Sequence, residues 1–227
     1  MCGRYTFTAP RDLVKERFGV SLPNDLFATY NAAPSQLLPV ITNTTPDTVQ
    51  LFQWGLLPAW VKDLKTAIKP INARAETLAE KPSFRQLLQR RRCLVLADSF
   101  YEWQAPSAGS KGPKKPYRIL LQNEEPFAFA GLWDQWVNRD TGEVHPTFTI
   151  ITTAPNSLMQ PIHARMPVIL PTREAEHMWL NDTASDQDYQ GLLQPYVAEQ
   201  MQAYTVSTEV NSPGNNSAAC AAPFIWG

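Results

Sequence analysis

The sequence predicts an α+β fold, with one domain built on a mainly antiparallel, barrel-like sheet and short flanking helices. Three observations support this class. Twenty of the 227 residues are proline, nearly twice the usual ~5%, and proline interrupts helix interiors. Short runs rich in β-branched and aromatic residues recur in the middle of the chain, separated by turn residues. No internal repeat is visible, so we expect a single domain over residues 1–227.

Four short helices are expected. The first lies within residues 8–19, with a proline in its first turn and a glycine at its end. A second spans residues 82–91, and two more lie near residues 172–180 and 186–196. The apolar residues expected to face the core are Leu13, Val14 and Phe18 in the first helix and Phe84, Leu87 and Leu88 in the second.

Strand signals dominate the middle of the chain. The expected strands cover residues 93–96, 117–121, 127–131, 147–153 and 201–206. Residues 105–116, which contain three lysines among Gly, Pro and Ser, predict an exposed basic loop. Residues 213–227 form a polar, alanine-rich C-terminal tail that ends in apolar residues.

Composition excludes several classes of protein. No apolar stretch approaches the ~20 residues of a membrane span, and the first twenty residues carry six charges with no apolar core, so neither a membrane protein nor a secretory signal is predicted. We expect a cytoplasmic protein. Three cysteines without a CxxC pair and three scattered histidines predict neither a disulfide framework nor a metal site, and no cofactor is expected.

Charge is unevenly distributed along the chain. Residues 1–118 hold 17 Lys/Arg against 9 Asp/Glu, whereas residues 119–227 hold 3 against 12. This segregation favours one electropositive face that attracts a polyanion. The alternative is that the two halves interleave in space and cancel.

Four clusters place reactive or polar residues where turns are expected. They are residues 2–5 (CGRY), 72–77 (NARAET), 97–103 (ADSFYEW) and 161–167 (PIHARMP). Cys2 is the hardest of these residues to explain by packing alone. Removal of Met1, which the small Cys2 side chain permits, gives a residue whose α-amine and thiol lie on adjacent carbons.

Taken together, the clusters resemble the SRAP (SOS response-associated peptidase) family, whose members crosslink to abasic sites in DNA. The matching residues run nearly end to end: 1–4, 30–31, 33–34, 39–40, 54–56, 58, 60, 72–77, 92–94, 100–103, 130–133, 152–153, 163–167 and 210–211. Ser99 departs from the glycine that the family often has there, and Ala164 occupies a position that varies in the family. Neither departure alters a group that would do chemistry.

The resemblance implies a DNA-damage response protein that acts on abasic sites in single-stranded DNA. An abasic site exists partly as an open-chain aldehyde, which the Cys2 α-amine attacks to give an imine. With a pKa of ~7.7–8.0, this amine is partly neutral near pH 7, unlike a lysine at ~10.4. The thiol then closes a thiazolidine ring. Crosslinking of this kind is lyase-like, and any peptidase activity is limited to loss of Met1.

The resemblance also assigns roles to individual residues. Glu102 opens the sugar ring and transfers protons, His163 holds or protonates the sugar hydroxyl and assists reversal, and Asn72 fixes the Cys2 amine or the opened sugar. The residues expected to bind DNA are Arg4, Arg74 and Arg165 at phosphates, Trp60 and Trp103 at bases, and Pro34 and Pro39 on the same surface. The protein is expected to act as a monomer and to associate with the nucleoid when it is bound to DNA.

Three rival functions remain open. An N-terminal-nucleophile amidohydrolase also begins Met-Cys-Gly, but we find no glutamine-binding pattern or second domain. A cysteine peptidase would pair Cys2 with His163. A non-catalytic single-stranded DNA-binding module would use the same basic and aromatic residues without forming a covalent bond.

Overall fold

The structure of the protein is a computed structural model that describes residues 2–62, 67–106 and 111–226. Within those ranges the α-helices are α1 (Arg11–Phe18), α2 (Pro82–Arg90), α3 (Arg173–Leu180) and α4 (Asp186–Leu192). The strands are β1 (Tyr5–Phe7), β2 (Thr29–Ala32), β3 (Leu37–Thr42), β4 (Thr45–Trp54), β5 (Asn72–Arg74), β6 (Arg92–Ala97), β7 (Ser99–Gln104), β8 (Lys115–Leu121), β9 (Phe127–Val137), β10 (Val144–Thr153), β11 (Met166–Pro167) and β12 (Met201–Thr205).

Five strands close into a barrel in the order β10, β4, β3, β6 and β9, with β9 pairing back to β10. Every pairing in this ring is antiparallel except that of β4 with β10. Close packing inside the barrel requires Gly131 on β9. A Cβ there would lie 2.9 Å from both Cys93 Sγ and Val95 Cγ2. The predicted α+β class, with its barrel-like sheet and short helices, is confirmed.

A second, antiparallel sheet has the strand order β12, β8, β7, β1 and β2. Aromatic contacts join it to the barrel. The ring of Tyr5 on β1 lies 5.3 Å from that of Trp54, and the ring of Phe100 on β7 lies 6.1 Å from that of Phe129. The N-terminal strand is therefore held between β2 and β7 and packed on the barrel.

Two short strands pair with one end of β10 and bring distant segments together. Strand β5 pairs with β10 in parallel, and β11 pairs with it antiparallel. Arg74 and Pro167 are both in register with Thr152. The 72–77 and 161–167 clusters thus meet at one end of β10.

The predicted helices are confirmed, with shifts at their ends. In α1 the prediction that Leu13 faces the core is wrong, because Leu13 is 38% exposed and Val14 is the buried residue. Gly19 ends α1 in the left-handed conformation, with φ of 68°. Pro10 is the N-cap of α1 and lies just outside the first turn where it was predicted. Pro10 provides no side-chain hydrogen bond to cap the helix. In the segment just before it, the Asp98 carboxylate accepts hydrogen bonds from the backbone N–H groups of Thr8 and Ala9. Helix α4 ends at Leu192, four residues earlier than predicted, because Pro195 cannot continue a helix.

The strand predictions hold in the middle of the chain but omit its first part. Strands β6, β8, β9, β10 and β12 match the predicted runs, and β9 and β10 are longer than expected. Strands β1 to β5, β7 and β11 were not predicted, and β7 covers most of the 97–103 cluster, which was expected to be a turn. The loop predicted over residues 105–116 ends before Lys115, which starts β8, and residues 107–110 lie outside the described residues. Part of the tail is packed, since Cys220 is buried.

The two halves of the chain interleave in space. Arginines of the basic half pair with carboxylates of the acidic half. These pairs are Arg17 with Glu176 at 2.7 Å, Arg92 with Asp182 at 2.6 Å, and Arg91 with Asp134 at 3.7 Å. Segregation of charge along the sequence is therefore partly cancelled by the fold. Among the described residues, no helix is long and apolar enough to cross a membrane.

Candidate active site

Cys2 lies at the junction between the second sheet and β5. The ladder between β1 and β7 continues beyond β1, because the backbone N–H of Tyr101 donates to Arg4 O at 3.0 Å. This pairing carries the first residues of the chain alongside Glu102. The Cys2 side chain has no exposed surface, and the carbonyl oxygen of Cys2 accepts a hydrogen bond from Asn72 Nδ2 at 2.9 Å.

The electrostatic surroundings of Cys2 favour its neutral thiol. Burial, and then the negative charge of Glu102, raise the pKa of this thiol far above its usual range. Cys93 is also buried, and burial alone raises the pKa of its thiol. The two cysteines thus differ in that Cys2 has a carboxylate beside it.

Glu102 is a buried carboxyl group on β7, with 2% of its surface exposed. Burial raises its pKa, and the neighbouring positive charge of a protonated His163 opposes that rise. Glu102 Oε1 lies 3.9 Å from His163 Nδ1. A buried carboxyl group with a raised pKa beside an imidazole is suited to proton transfer.

His163 lies in the turn that precedes β11, where it is half-buried. Its Nδ1 is 3.1 Å from both the backbone N and the backbone O of Arg165. A neutral ring accepts from the N–H, and a ring protonated at Nδ1 donates to the carbonyl. The backbone of Arg165 therefore accommodates either protonation state without rotation of the imidazole.

Asn72 is positioned by the parallel pairing of β5 with β10, opposite Ile150. Its Nδ2 binds the backbone of Cys2, whereas its buried Oδ1 has no hydrogen-bond partner among the described residues. An unpaired buried acceptor is unusual and points to a role in binding a ligand or intermediate. Asn72 thus offers an acceptor beside Cys2.

The three predicted DNA-binding arginines have different surroundings. Arg4 donates to Asn31 Oδ1 at 2.8 Å and to the carbonyls of Val210 and Asn211 at 2.5 and 3.1 Å. Its guanidinium therefore anchors β1 to the segment before the C-terminal tail. Arg74 is exposed and has no side-chain hydrogen bond or ion pair within the described parts of the chain.

Arg165 forms a two-pronged ion pair with Glu76. Its Nη1 and Nη2 lie 2.6 and 2.9 Å from the two carboxylate oxygens, and Nη2 also donates to Thr152 O at 2.6 Å. Sequence reasoning placed Glu76 inside the 72–77 cluster but gave it no role. No pattern in the sequence indicates that Glu76 pairs with an arginine 89 residues further along the chain.

The predicted aromatic and proline residues are dispersed. Trp60 is 68% exposed, and Trp103 is half-buried with its Nε1 donating to Asn211 Oδ1 at 2.7 Å. Pro34 is half-buried, and Pro39 is buried within β3 in the barrel wall. A cavity of about 720 Å³ beside Trp60 contains none of the four candidate catalytic side chains.

The structure brings Cys2, Asn72, Glu102 and His163 into one cluster, with Arg165 and Glu76 at its margin. The hydroxyl of Tyr5 is a further group that the sequence did not indicate. It is buried without a hydrogen-bond partner among the described residues, and burial, then the nearby Cys2, raise its pKa.

Among the residues that the structure describes, no group of three or more His, Cys, Asp or Glu side chains is arranged to hold a metal.

Comparison with known proteins identifies the family of the chain. The SOS response associated peptidase (SRAP) family model matches residues 1–213. The abasic site processing protein YoqW of Bacillus subtilis is 50% identical over 222 residues, which cover 96% of this chain and 97% of YoqW. The abasic site processing protein HMCES of Xenopus tropicalis is 30% identical over 270 residues, covering 99% of this chain and 79% of HMCES.

A solved structure shows the same fold. The crystal structure of a protein from Bacteroides thetaiotaomicron superimposes with a TM-score of 0.88 at 36% identity, over 99% of this chain and all of that chain. The family model, the curated relatives and the crystal structure each cover nearly the whole chain. This protein therefore belongs to the SRAP family.

Proposed function

We propose that this protein responds to abasic sites in single-stranded DNA by forming a covalent thiazolidine crosslink through Cys2 after Met1 is removed. The observation that carries the proposal is the group of side chains around Cys2. The thiol is buried beside the carboxyl group of Glu102, and Asn72 holds the Cys2 backbone. The names of the relatives, which process abasic sites, provide the substrate.

The first step joins the Cys2 α-amine to the open-chain aldehyde. The neutral nitrogen adds to the carbonyl carbon, a proton is delivered to the oxygen, and water leaves as the imine forms. Glu102 and His163, whose Oε1 and Nδ1 are 3.9 Å apart, are placed to donate and accept these protons. Asn72 Oδ1 supplies an acceptor for an N–H of the amine or for a sugar hydroxyl.

The second step adds the thiol across the imine. The sulfur bonds to the former aldehyde carbon, the imine nitrogen gains a proton, and a five-membered ring closes. Because the pKa of the Cys2 thiol is raised, a base must remove its proton as the bond forms. Glu102 is the carboxylate whose charge reaches the thiol, and we assign it that role.

The same electrostatics argue against a general cysteine peptidase. Such enzymes need a thiolate of lowered pKa, usually paired with an imidazolium. Here burial and Glu102 both stabilise the neutral thiol. Peptidase activity is therefore limited, in this proposal, to the removal of Met1.

Groups at the margin of the cluster and a more distant tryptophan hold the DNA. Arg74 and Arg165 contact phosphates, the half-buried Trp103 stacks on a base next to Glu102, and the exposed Trp60, which lies beside a separate cavity, stacks on a base further along the strand. Arg4, whose guanidinium binds protein carbonyls, contributes by anchoring β1.

The deciding experiment mixes the protein with single-stranded DNA that carries one abasic site and then denatures the sample. We expect an adduct that resists heat and detergent, and we expect Cys2→Ala to reduce it to background. Cys220→Ala, which changes another buried thiol, is the control and should crosslink like the unsubstituted protein. An adduct that persists in Cys2→Ala would show that the thiazolidine assignment is wrong.

A second arm tests the requirement for a free Cys2 amine. A chain that carries an extra N-terminal peptide is expected to bind the same DNA without forming the adduct. Salt-sensitive binding with no adduct in any variant would instead identify a non-covalent DNA-binding module.

A further inference from the structure

Arg165 has two partners that differ in how easily they can be replaced. Thr152 O is a backbone group of β10 and accepts from Nη2 at 2.6 Å. Glu76 binds through a side chain, with both carboxylate oxygens opposite Nη1 and Nη2. The Arg165 side chain is 18% exposed and that of Glu76 is 50% exposed. The carboxylate can therefore swing into solvent while Thr152 keeps its place.

The Glu76 carboxylate presents to Arg165 the same pattern of acceptors as a phosphate group. Two oxygens bridge the two terminal nitrogens in parallel, which is the geometry in which arginine binds phosphate. The hydrogen bond from Arg165 lowers the pKa of Glu76, so this carboxylate stays ionised at neutral pH. Its negative charge therefore lies where a strand of DNA would approach Arg165.

We propose that Glu76 occupies the phosphate position at Arg165 in the free protein and is displaced when DNA binds. This inference rests on the proposed function, because it requires that Arg165 contact DNA. Glu76 then acts as an internal competitor that weakens binding to any strand, damaged or intact.

This arrangement has two physical consequences. Arg165 is already held by Thr152 and Glu76 before DNA arrives, so less side-chain freedom is lost on binding. The exchange of one anion for another also reduces the net gain from each phosphate contact. A protein that captures its lesion covalently gains from short stays on undamaged DNA, because it is free to search further.

The test compares Glu76→Gln with Glu80→Gln. Glu80 is an exposed carboxylate four residues away that has no ion pair within the described residues, so its substitution changes the same charge without touching Arg165. Binding of fluorescent single-stranded DNA without a lesion is measured by anisotropy from about 50 to 200 mM salt. We expect Glu76→Gln to bind roughly 3- to 10-fold more tightly, with a salt slope steeper by about 0.7.

Glu80→Gln is expected to change affinity by less than half as much on a logarithmic scale. Adding Arg165→Gln to Glu76→Gln should remove the gain. Weaker binding by Glu76→Gln would mean that Glu76 only orients Arg165, and equal effects of the two glutamines would mean that only general charge matters. Either result overturns the inference.

Failure of the proposed function gives a different pattern. In that case the unsubstituted protein forms no denaturation-resistant adduct with abasic DNA, whatever the order of affinities among the glutamine variants. Adduct formation together with equal affinities would overturn the role of Glu76 alone.

Discussion

Two buried polar clusters of this protein differ in how completely they are satisfied. Around Arg92, which has no exposed surface, Nε and Nη1 donate to the carbonyls of Trp179 and Leu88 at 2.7 and 2.9 Å. Nη2 binds Asp182 at 2.6 Å. Around Cys2, the hydroxyl of Tyr5 and Oδ1 of Asn72 are buried without partners among the described residues.

This difference distinguishes buried polar groups that support the fold from buried polar groups that are available to a ligand. A buried polar group that only supports the fold is stabilising when its hydrogen bonds are complete. The Cys2 cluster instead keeps acceptors and a carboxyl group of raised pKa in a buried site. We infer that stability is given up there so that the same groups can act on a ligand.

Substituting Arg92, at the centre of the fully hydrogen-bonded cluster, should give the largest change in the free energy of unfolding. Arg92→Leu leaves the carbonyls of Trp179 and Leu88 without their donor, and we expect a loss of about 3 kcal/mol in the free energy of unfolding. Urea unfolding measures it. Arg91→Leu is the control. Arg91 is partly exposed and its ion pair with Asp134 is long, at 3.7 Å, so this substitution should cost less than about 1 kcal/mol.

Arg92 serves the fold alone in this comparison. The folded fraction of Arg92→Leu should therefore crosslink at an unchanged rate. A large loss of rate in properly folded protein would show that the two clusters are not independent.

Removing the buried charge of Glu102 should affect rate and stability in opposite directions. Its raised pKa means that folding favours the protonated form. This contribution to stability is fully present below the unfolded-state pKa of ~4.3 and is lost as pH rises through the folded-state pKa. Glu102→Gln should therefore slow crosslinking roughly 100-fold, yet raise the free energy of unfolding near pH 8 by about 1 kcal/mol.

The stability gain of Glu102→Gln should vanish near pH 4, where the wild-type carboxyl is protonated as well. Urea unfolding at both pH values, with single-turnover crosslinking, makes the measurement. Glu176→Gln is the matched control for rate. Glu176 is also buried and its pKa is raised by burial, but it binds Arg17 on α1, so crosslinking should not change. An unchanged rate in Glu102→Gln would remove Glu102 from the mechanism.

The smallest effect should come from a single hydroxyl. Tyr5→Phe removes a buried O–H that has no partner within the described structure, so stability should stay the same or rise by up to about 1 kcal/mol. Tyr101→Phe is the contrast. It loses the hydrogen bond from Tyr101 Oη to Tyr30 O, at 2.8 Å, and should lose about 1 kcal/mol. Thermal unfolding of both variants decides whether the hydroxyl of Tyr5 is structurally idle.

The sequence predicted those parts of the fold that depend on local signals. Gly19 ends α1 as expected, and α2 buries the three predicted residues Phe84, Leu87 and Leu88. Strand β3 was missed partly because Pro39 lies inside it. The fold tolerates this proline where β3 pairs with β4 alone, since pairing with β6 begins at Val40.

In the candidate site, too, the sequence did not predict contacts between distant segments. The four residues of the cluster were named from a family resemblance, and the fold brings them together. Their exact partners were not predictable, because they depend on strand pairing between distant segments. Arg165 meets Glu76 only because β5 and β11 both pair with β10, and Arg4 meets Val210 only because the end of the chain folds back on β2.

The burial of Cys2 also affects how long its thiol resists chemical modification. In the proposed function the Cys2 thiol must still be unmodified when the protein meets a lesion, so a thiol that had already reacted with peroxide or with small metabolic aldehydes would leave the molecule inactive. The thiolate is the form that oxidants attack, and burial together with Glu102 keeps that form scarce. In the proposed mechanism, the environment that makes the Cys2 thiol need a base during the reaction also protects that thiol from oxidation before DNA binds.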